Sequence, residues 1–122
     1  MQKFRTFLLE QENKKSLDDF VAFACKHLGI EDRPEITTDM DSRKYRSFGG
    51  YGSGRIRVAE KGRHHMDVCR TLAHELVHYK QDLDGRIKSV KDGKTGSPIE
   101  NEANSVAAVI MRNWAKRNPD LF

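Results

Sequence analysis

The sequence has no long hydrophobic run and few cysteines, and these absences narrow the class of protein. A membrane-spanning helix needs about 20 consecutive apolar residues, and no such run occurs. The apolar patch near the N-terminus is short and has no small-residue cleavage site, so we expect no signal peptide. The two cysteines, Cys25 and Cys69, lie in segments of helical pattern. We expect buried free thiols, which suit a reducing, cytoplasmic compartment.

Length and composition are those of a small globular protein. The chain has 122 residues, of which 37% are hydrophobic and 33% charged, and this balance is neither that of a disordered nor that of a fibrous chain. We predict a single domain over residues 1–122 and a monomer. The net charge of +4 leaves a nucleic-acid partner open, but the basic residues are interleaved with acids and no nucleic-acid-binding module accompanies them.

Three segments repeat apolar residues at helical spacing and have residues typical of helix ends. Ser16 and Asp67 are candidate N-terminal caps, and Gly29 ends the first helix. The predicted helices run over Ser16–Leu28, from Met66 or Asp67 to Asp82, and from Ser97-Pro98 to Asn118-Pro119. The apolar stripe predicted for the third helix comprises Ile99, Ala103, Val106, Ala107, Ile110 and Trp114.

Two segments between the first and second helices have strand character. Residues 34–38 are a short strand candidate, and 47–58 read as a hairpin around a glycine-rich turn. A phosphate-binding loop is the alternative for these glycines, but no lysine-serine pair follows them and no helix opens after the last one. Surface loops are expected at 39–46 and 83–97. The fold class that results is α+β.

The second helix contains His74-Glu75-Leu76-Val77-His78. Two histidines four residues apart lie on one face of a helix, about one turn apart, so both imidazoles reach a single ion. Glu75 projects to the side, where it meets a metal-bound water without ligating the metal. Zinc lowers the pKa of that water to about 7, and Glu75 takes its proton and hands it to the leaving amine. A fortuitous surface histidine pair is the alternative, but the amphipathic helix and the acidic helix that follows favour a metal site.

A catalytic zinc site needs three protein ligands and an open position, and no third histidine follows His78. The next helix instead opens with Glu100 and Glu102. At about 100° per residue, Glu100 lies closer to the apolar stripe, so we favour Glu100 as third ligand, with Glu102 as the alternative. Asn104, four residues after Glu100, is expected to bond the second ring nitrogen of a ligating histidine. Otherwise both carboxylates merely suit the positive end of the helix dipole.

Further polar residues are open to two readings. His64, His65 and Tyr51 are candidates for stabilising a transition state. The alternative is that the two histidines are exposed loop residues and that Tyr51 is an aromatic residue that packs against its neighbours. Arg55 and Arg57 are expected on the solvated face of a strand.

The motif His74-Glu75-Leu76-Val77-His78, followed by Glu100-Asn101-Glu102-Ala103-Asn104, resembles the gluzincin-type minimal metallopeptidases, notably the ImmA/IrrE family often found in phages and mobile elements. The resemblance implies zinc on His74 and His78, Glu75 as general base, and a glutamate of the acidic stretch as third ligand. It also implies proteolysis, in a bacterial host cytoplasm if the chain is encoded by a phage.

We therefore predict a zincin-like α+β domain with an N-terminal helix, a small twisted sheet or hairpin, the motif helix and a C-terminal helix that supplies a glutamate. The predicted function is zinc-dependent hydrolysis of a protein or peptide substrate, with no membrane partner. Two alternatives remain: a non-enzymatic protein-binding module stabilised by zinc, and a basic protein associated with nucleic acid.

Overall fold

The computed structural model describes residues 16–38, 49–52, 54–87 and 96–119. Within these residues the chain is α+β, with three helices and a three-stranded sheet. The first helix, α1, covers residues 16–28 and is helical from the first described residue. The other elements are β1 (Glu35–Thr37), β2 (Gly49–Gly52), β3 (Arg55–Val58), α2 (His65–Leu83) and α3 (Pro98–Arg117).

The ends of α1 and α2 differ in detail from the prediction. Ser16 is already helical and so is not the cap of α1, whereas Gly29 ends the helix as predicted, with a φ of +72°. Helix α2 begins earlier than expected. His64 is its N-cap, because His64 Nδ1 accepts a hydrogen bond of 3.1 Å from the backbone N–H of Met66. The prediction that Asp67 caps this helix was wrong, since Asp67 lies within the first turn.

Both ends of α3 are confirmed. The Ser97 hydroxyl accepts a hydrogen bond of 3.2 Å from the backbone N–H of Glu100, and Pro98 occupies the first turn, where its missing N–H costs nothing. Asn118 forms the C-terminal cap. The capping geometry therefore sets where Glu100 lies, in the first turn of the helix.

The sheet is mixed, with strand order β1-β3-β2. Strands β2 and β3 pair antiparallel, which confirms the hairpin, and β1 pairs with β3 in parallel. The side chains of β3 alternate between the two faces. Ile56 and Val58 are buried, whereas Arg55 and Arg57 are exposed as predicted, and Arg55 Nε lies 3.2 Å from a Glu35 carboxylate oxygen at the surface.

The core lies between one face of the sheet and the three helices. Phe20 of α1 meets Trp114 of α3 edge to face, with ring centroids 5.4 Å apart, a favourable aromatic geometry. Leu72 and Leu76 of α2 are fully buried. The stripe of α3 is as predicted except that Met111 is buried as well and Val106 is only partly buried. This packing fixes the first turn of α3 against the middle of α2.

The two loops predicted from the sequence lie mostly outside the described residues. These are the loop expected at 39–46 and residues 88–95 of the second expected loop.

The state of the two cysteines agrees with the prediction. Cys25 and Cys69 are buried free thiols. None of the helices in the described segments is long and apolar enough to cross a membrane.

Candidate metal centre

Three side chains from two helices converge at the contact between α2 and α3. His74 and His78 face the same way from successive turns of α2, and their Nε2 atoms are 3.1 Å apart. Glu100, in the first turn of α3, places one carboxylate oxygen 2.7 Å from His74 Nε2 and the other 3.1 Å from His78 Nε2. The ligand atoms of these residues all lie within 4.8 Å of one another.

The donor set and its spacing fit a zinc ion. Two imidazole nitrogens and a carboxylate are ligands that zinc takes, and zinc–ligand distances near 2.0–2.1 Å imply tetrahedral ligand atoms roughly 3.3 Å apart. The observed separations of 2.7 and 3.1 Å are slightly tighter. Moreover, two ring lone pairs and a carboxylate that point at one another repel unless a proton or a cation lies between them. The cluster can therefore hold a divalent ion with little rearrangement.

Glu75 lies beside this cluster and is almost completely buried, with 7% of its surface exposed. Burial raises the pKa of its carboxyl to about 7, against the lowering effect of His78 and with a further rise from Glu100. A carboxyl group with a pKa near neutrality can both accept and return a proton at neutral pH. This is the property that a general base requires.

Glu102, the alternative third ligand, points to other partners. Arg86 donates two hydrogen bonds to its carboxylate, of 2.6 and 2.8 Å, one to each oxygen. The Gln81 amide nitrogen donates a third, of 3.1 Å. These hydrogen bonds lower the pKa of the Glu102 carboxyl group. The largest contribution comes from the hydrogen bonding with Arg86. The structure thus brings Glu100, and not Glu102, to the two histidines.

The residue that contacts the second ring nitrogen of His78 is Gln81. Its side-chain oxygen lies 2.8 Å from His78 Nδ1, and the side chain is buried. Asn104, predicted for this contact, is exposed, and the described residues include no hydrogen bond from it to either histidine. The sequence analysis did not identify Gln81. Its position could have indicated this role, because residues three apart, such as His78 and Gln81, are neighbours on one face of a helix.

The proposed transition-state stabilisers lie apart from the cluster. His64 caps α2, and His65 Nε2 lies 3.1 Å from the Ser16 hydroxyl. His65 precedes His74 by nine residues, or roughly 14 Å along the helix axis. The structure therefore brings neither ring to the cluster.

Tyr51 lies nearer to the cluster but is engaged elsewhere. Its hydroxyl donates a hydrogen bond to Asp82, one helical turn beyond His78. Burial and this hydrogen bond raise the pKa of the Tyr51 hydroxyl to about 12. The phenol therefore stays protonated at neutral pH and is directed at Asp82 rather than at Glu100.

Strand β2 approaches α2 closely at Gly49. A Cβ atom built on Gly49 lies 2.5 Å from Cγ2 of Thr71 and 3.5 Å from Cγ of Glu75. Glycine in a strand is a known sign of close backbone approach, but the sequence reading treated Gly49 only as part of a turn region. The missing side chain lets the sheet edge run directly beside Glu75.

Comparison of the chain with family models, with curated proteins and with solved structures finds no match in any of the three.

Proposed function

We propose that the chain is a zinc-dependent metallopeptidase with a zincin-like fold, in which His74, His78 and Glu100 hold the metal and Glu75 is the general base. The observation behind this proposal is the convergence of three ligand atoms within 4.8 Å beside a buried carboxyl group whose pKa is raised to about 7. Neither feature alone suffices. Together they supply a metal site and a proton acceptor at one place.

When bound, zinc supplies a Lewis acid that lowers the pKa of water to about 7 and polarises a carbonyl group. The protein residues do the rest. Glu75, which is buried beside Gly49, accepts the proton of the attacking water and returns it to the leaving amine. Because His74 and His78 occupy successive turns, Glu75 lies beside the metal-binding face without itself joining the ligand set.

The proposed substrate is an extended peptide that adds to the edge of the sheet at β2. Among the described strands, β2 stands at one end of the order β1-β3-β2 and pairs with β3. An added strand gains main-chain hydrogen bonds there. Gly49 supports this placement, because a Cβ atom at this position would lie 3.5 Å from Cγ of Glu75.

The similarity to the ImmA/IrrE family stays part of the proposal, on the motif residues and the element order from α1 to α3. The buried free thiols of Cys25 and Cys69 support a reducing compartment, and we propose the cytoplasm.

Metal content is the first test. With zinc in excess, wild-type protein should contain about one zinc ion per chain, Glu100→Ala should lose it, and Glu102→Ala should keep it. Glu102→Ala is a matched control, because it removes a carboxylate from the same helical turn that bonds Arg86 instead of the histidines. Absence of metal from the wild type after zinc is supplied would remove the proposal.

Glu75→Gln separates an enzyme from a zinc-stabilised binding module. The variant should keep zinc, since Glu75 is not a ligand, and should lose hydrolysis of a peptide library by about 10²–10⁴-fold, the usual contribution of a general base. Equal hydrolysis by the variant and the wild type would contradict Glu75 as the general base, and no hydrolysis by either would favour the binding module. DNA affinity that persists at physiological salt would instead favour the nucleic-acid alternative.

A further inference from the structure

A chain of hydrogen bonds connects the surface of the protein to His78. Arg86, which follows α2, binds both carboxylate oxygens of Glu102 on α3. Glu102 accepts a hydrogen bond of 3.1 Å from the Gln81 amide nitrogen, and the Gln81 oxygen lies 2.8 Å from His78 Nδ1. The chain therefore joins the two helices that carry the candidate ligands.

The partners of Gln81 determine which way its amide group points. Its nitrogen lies 3.0 Å from the backbone oxygen of Ile99 and 3.1 Å from a Glu102 oxygen, and both atoms can only accept hydrogen bonds. An amide turned the other way places its oxygen against two acceptors. Since Gln81 is 1% exposed, water cannot relieve such a clash. The side-chain oxygen must therefore face His78.

The orientation of Gln81 in turn determines where His78 carries its proton. An amide oxygen only accepts, so the hydrogen bond of 2.8 Å requires a proton on His78 Nδ1. In neutral imidazole this leaves the lone pair on Nε2. Nε2 is the atom that faces Glu100 and His74. With Nδ1 engaged by Gln81, Nε2 is the ring atom left to bind a proton or a metal ion at the cluster.

We propose that Gln81, held in place by Glu102 and Arg86, is a positioning residue that fixes the tautomer and the ring orientation of His78. This inference rests on the proposed metal site for its purpose, but the proton position belongs to the metal-free protein. It also gives Glu102 a role: its carboxylate acts on the site through Gln81, while Glu100 contacts the histidines directly.

Imidazole NMR of the metal-free protein tests the tautomer directly. In wild type, His78 should show a proton on Nδ1 that exchanges slowly with solvent. Gln81→Met, which keeps the length of the side chain but removes the amide, should lose this protected proton. Zinc affinity should fall by about 10–100-fold, the usual effect of removing a partner that orients a metal ligand. Glu102→Ala should weaken zinc binding in the same direction by less than about 10-fold, because the Ile99 carbonyl still holds Gln81.

Lys80→Ala is the matched control. It breaks an ion pair of 3.3 Å with Asp84 near the same end of α2 and leaves Gln81 in place. The protected Nδ1 proton of His78 and the zinc affinity should both be unchanged. A wild-type His78 that carries its proton on Nε2 alone overturns the inference, as does Gln81→Met protein that retains the Nδ1 proton and full zinc affinity. If Gln81→Met fails to fold, the wild-type NMR spectrum and the zinc affinity of Glu102→Ala still test the inference. A protected Nδ1 proton without zinc binding supports the positioning role and removes the proposed function.

Discussion

Replacing Gly49 by alanine tests the contact between the sheet edge and the motif helix. The new Cβ atom would lie 2.5 Å from Thr71 Cγ2 and 3.3 Å from the backbone oxygen of Arg57. Carbon atoms normally approach to about 3.5–4.0 Å, so the methyl groups would overlap by roughly 1 Å. Either the strand or the helix must move.

The surroundings of Thr71 leave little room for adjustment. A β-branched side chain in a helix has few rotamers, and the Thr71 hydroxyl accepts a hydrogen bond of 2.8 Å from Arg63. Rotating the methyl group away would break that bond. We therefore expect Gly49→Ala to lower the free energy of unfolding by about 1–3 kcal/mol, the usual cost of overpacking a close contact. The shift of β2 should also reduce the proposed peptide hydrolysis, because Cγ of Glu75 lies 3.5 Å from the same Cβ position.

Two further variants isolate the cause. Gly50 is the neighbouring strand residue, and a Cβ built there meets nothing within 4 Å. Gly50→Ala should thus be neutral or stabilise by up to about 1 kcal/mol through the unfolded state. Thr71→Ser removes the clashing methyl but keeps the hydroxyl, and should restore most of the stability lost in Gly49→Ala. Denaturant midpoints at constant m-value measure all three effects. Equal midpoints for Gly49→Ala and Gly50→Ala would refute the close approach.

Three other predictions follow from burial and charge. In the metal-free protein, Glu75 has its pKa raised from 4.5 to about 7, so its contribution to stability is complete below pH 4.5 and is lost as the pH rises through about 7. Glu75→Gln should abolish this loss, worth at most about 3 kcal/mol, and parallel stability–pH curves for the two proteins would contradict the raised pKa. Chelation should lower the melting temperature, since zinc at 100 times its Kd stabilises by about 2.7 kcal/mol; an unchanged melting curve would argue against a bound metal. Burial raises the pKa of both Cys25 and Cys69, so a thiol reagent should react only as the protein unfolds, and rapid labelling of the native protein would count against buried thiols.

Local patterns were sufficient to predict the secondary structure. Apolar spacing and end signals such as Ser97-Pro98 and Gly29 act within a few residues, which is why the helices and the hairpin agree with the structure. The first residue of α2 was misplaced because a histidine, His64, caps it in place of Asp67. The single domain, the metal and the peptidase activity stay predictions.

The spacing of His74, Glu75 and His78 is likewise local: any helix brings two residues four apart onto one face. Which carboxylate meets them depends on how α3 packs against α2, and that packing turns Glu100 to the histidines and Glu102 to Arg86. The partner of His78 Nδ1 also depended on long-range contacts, because the Gln81 amide is oriented by acceptors 18 and 21 residues away along the chain. The sequence by itself determined the elements and the face that bears the motif, since these depend on neighbouring residues. Only the tertiary structure decided which carboxylate meets the two histidines and how closely Gly49 approaches α2, since both depend on the packing of one element against another.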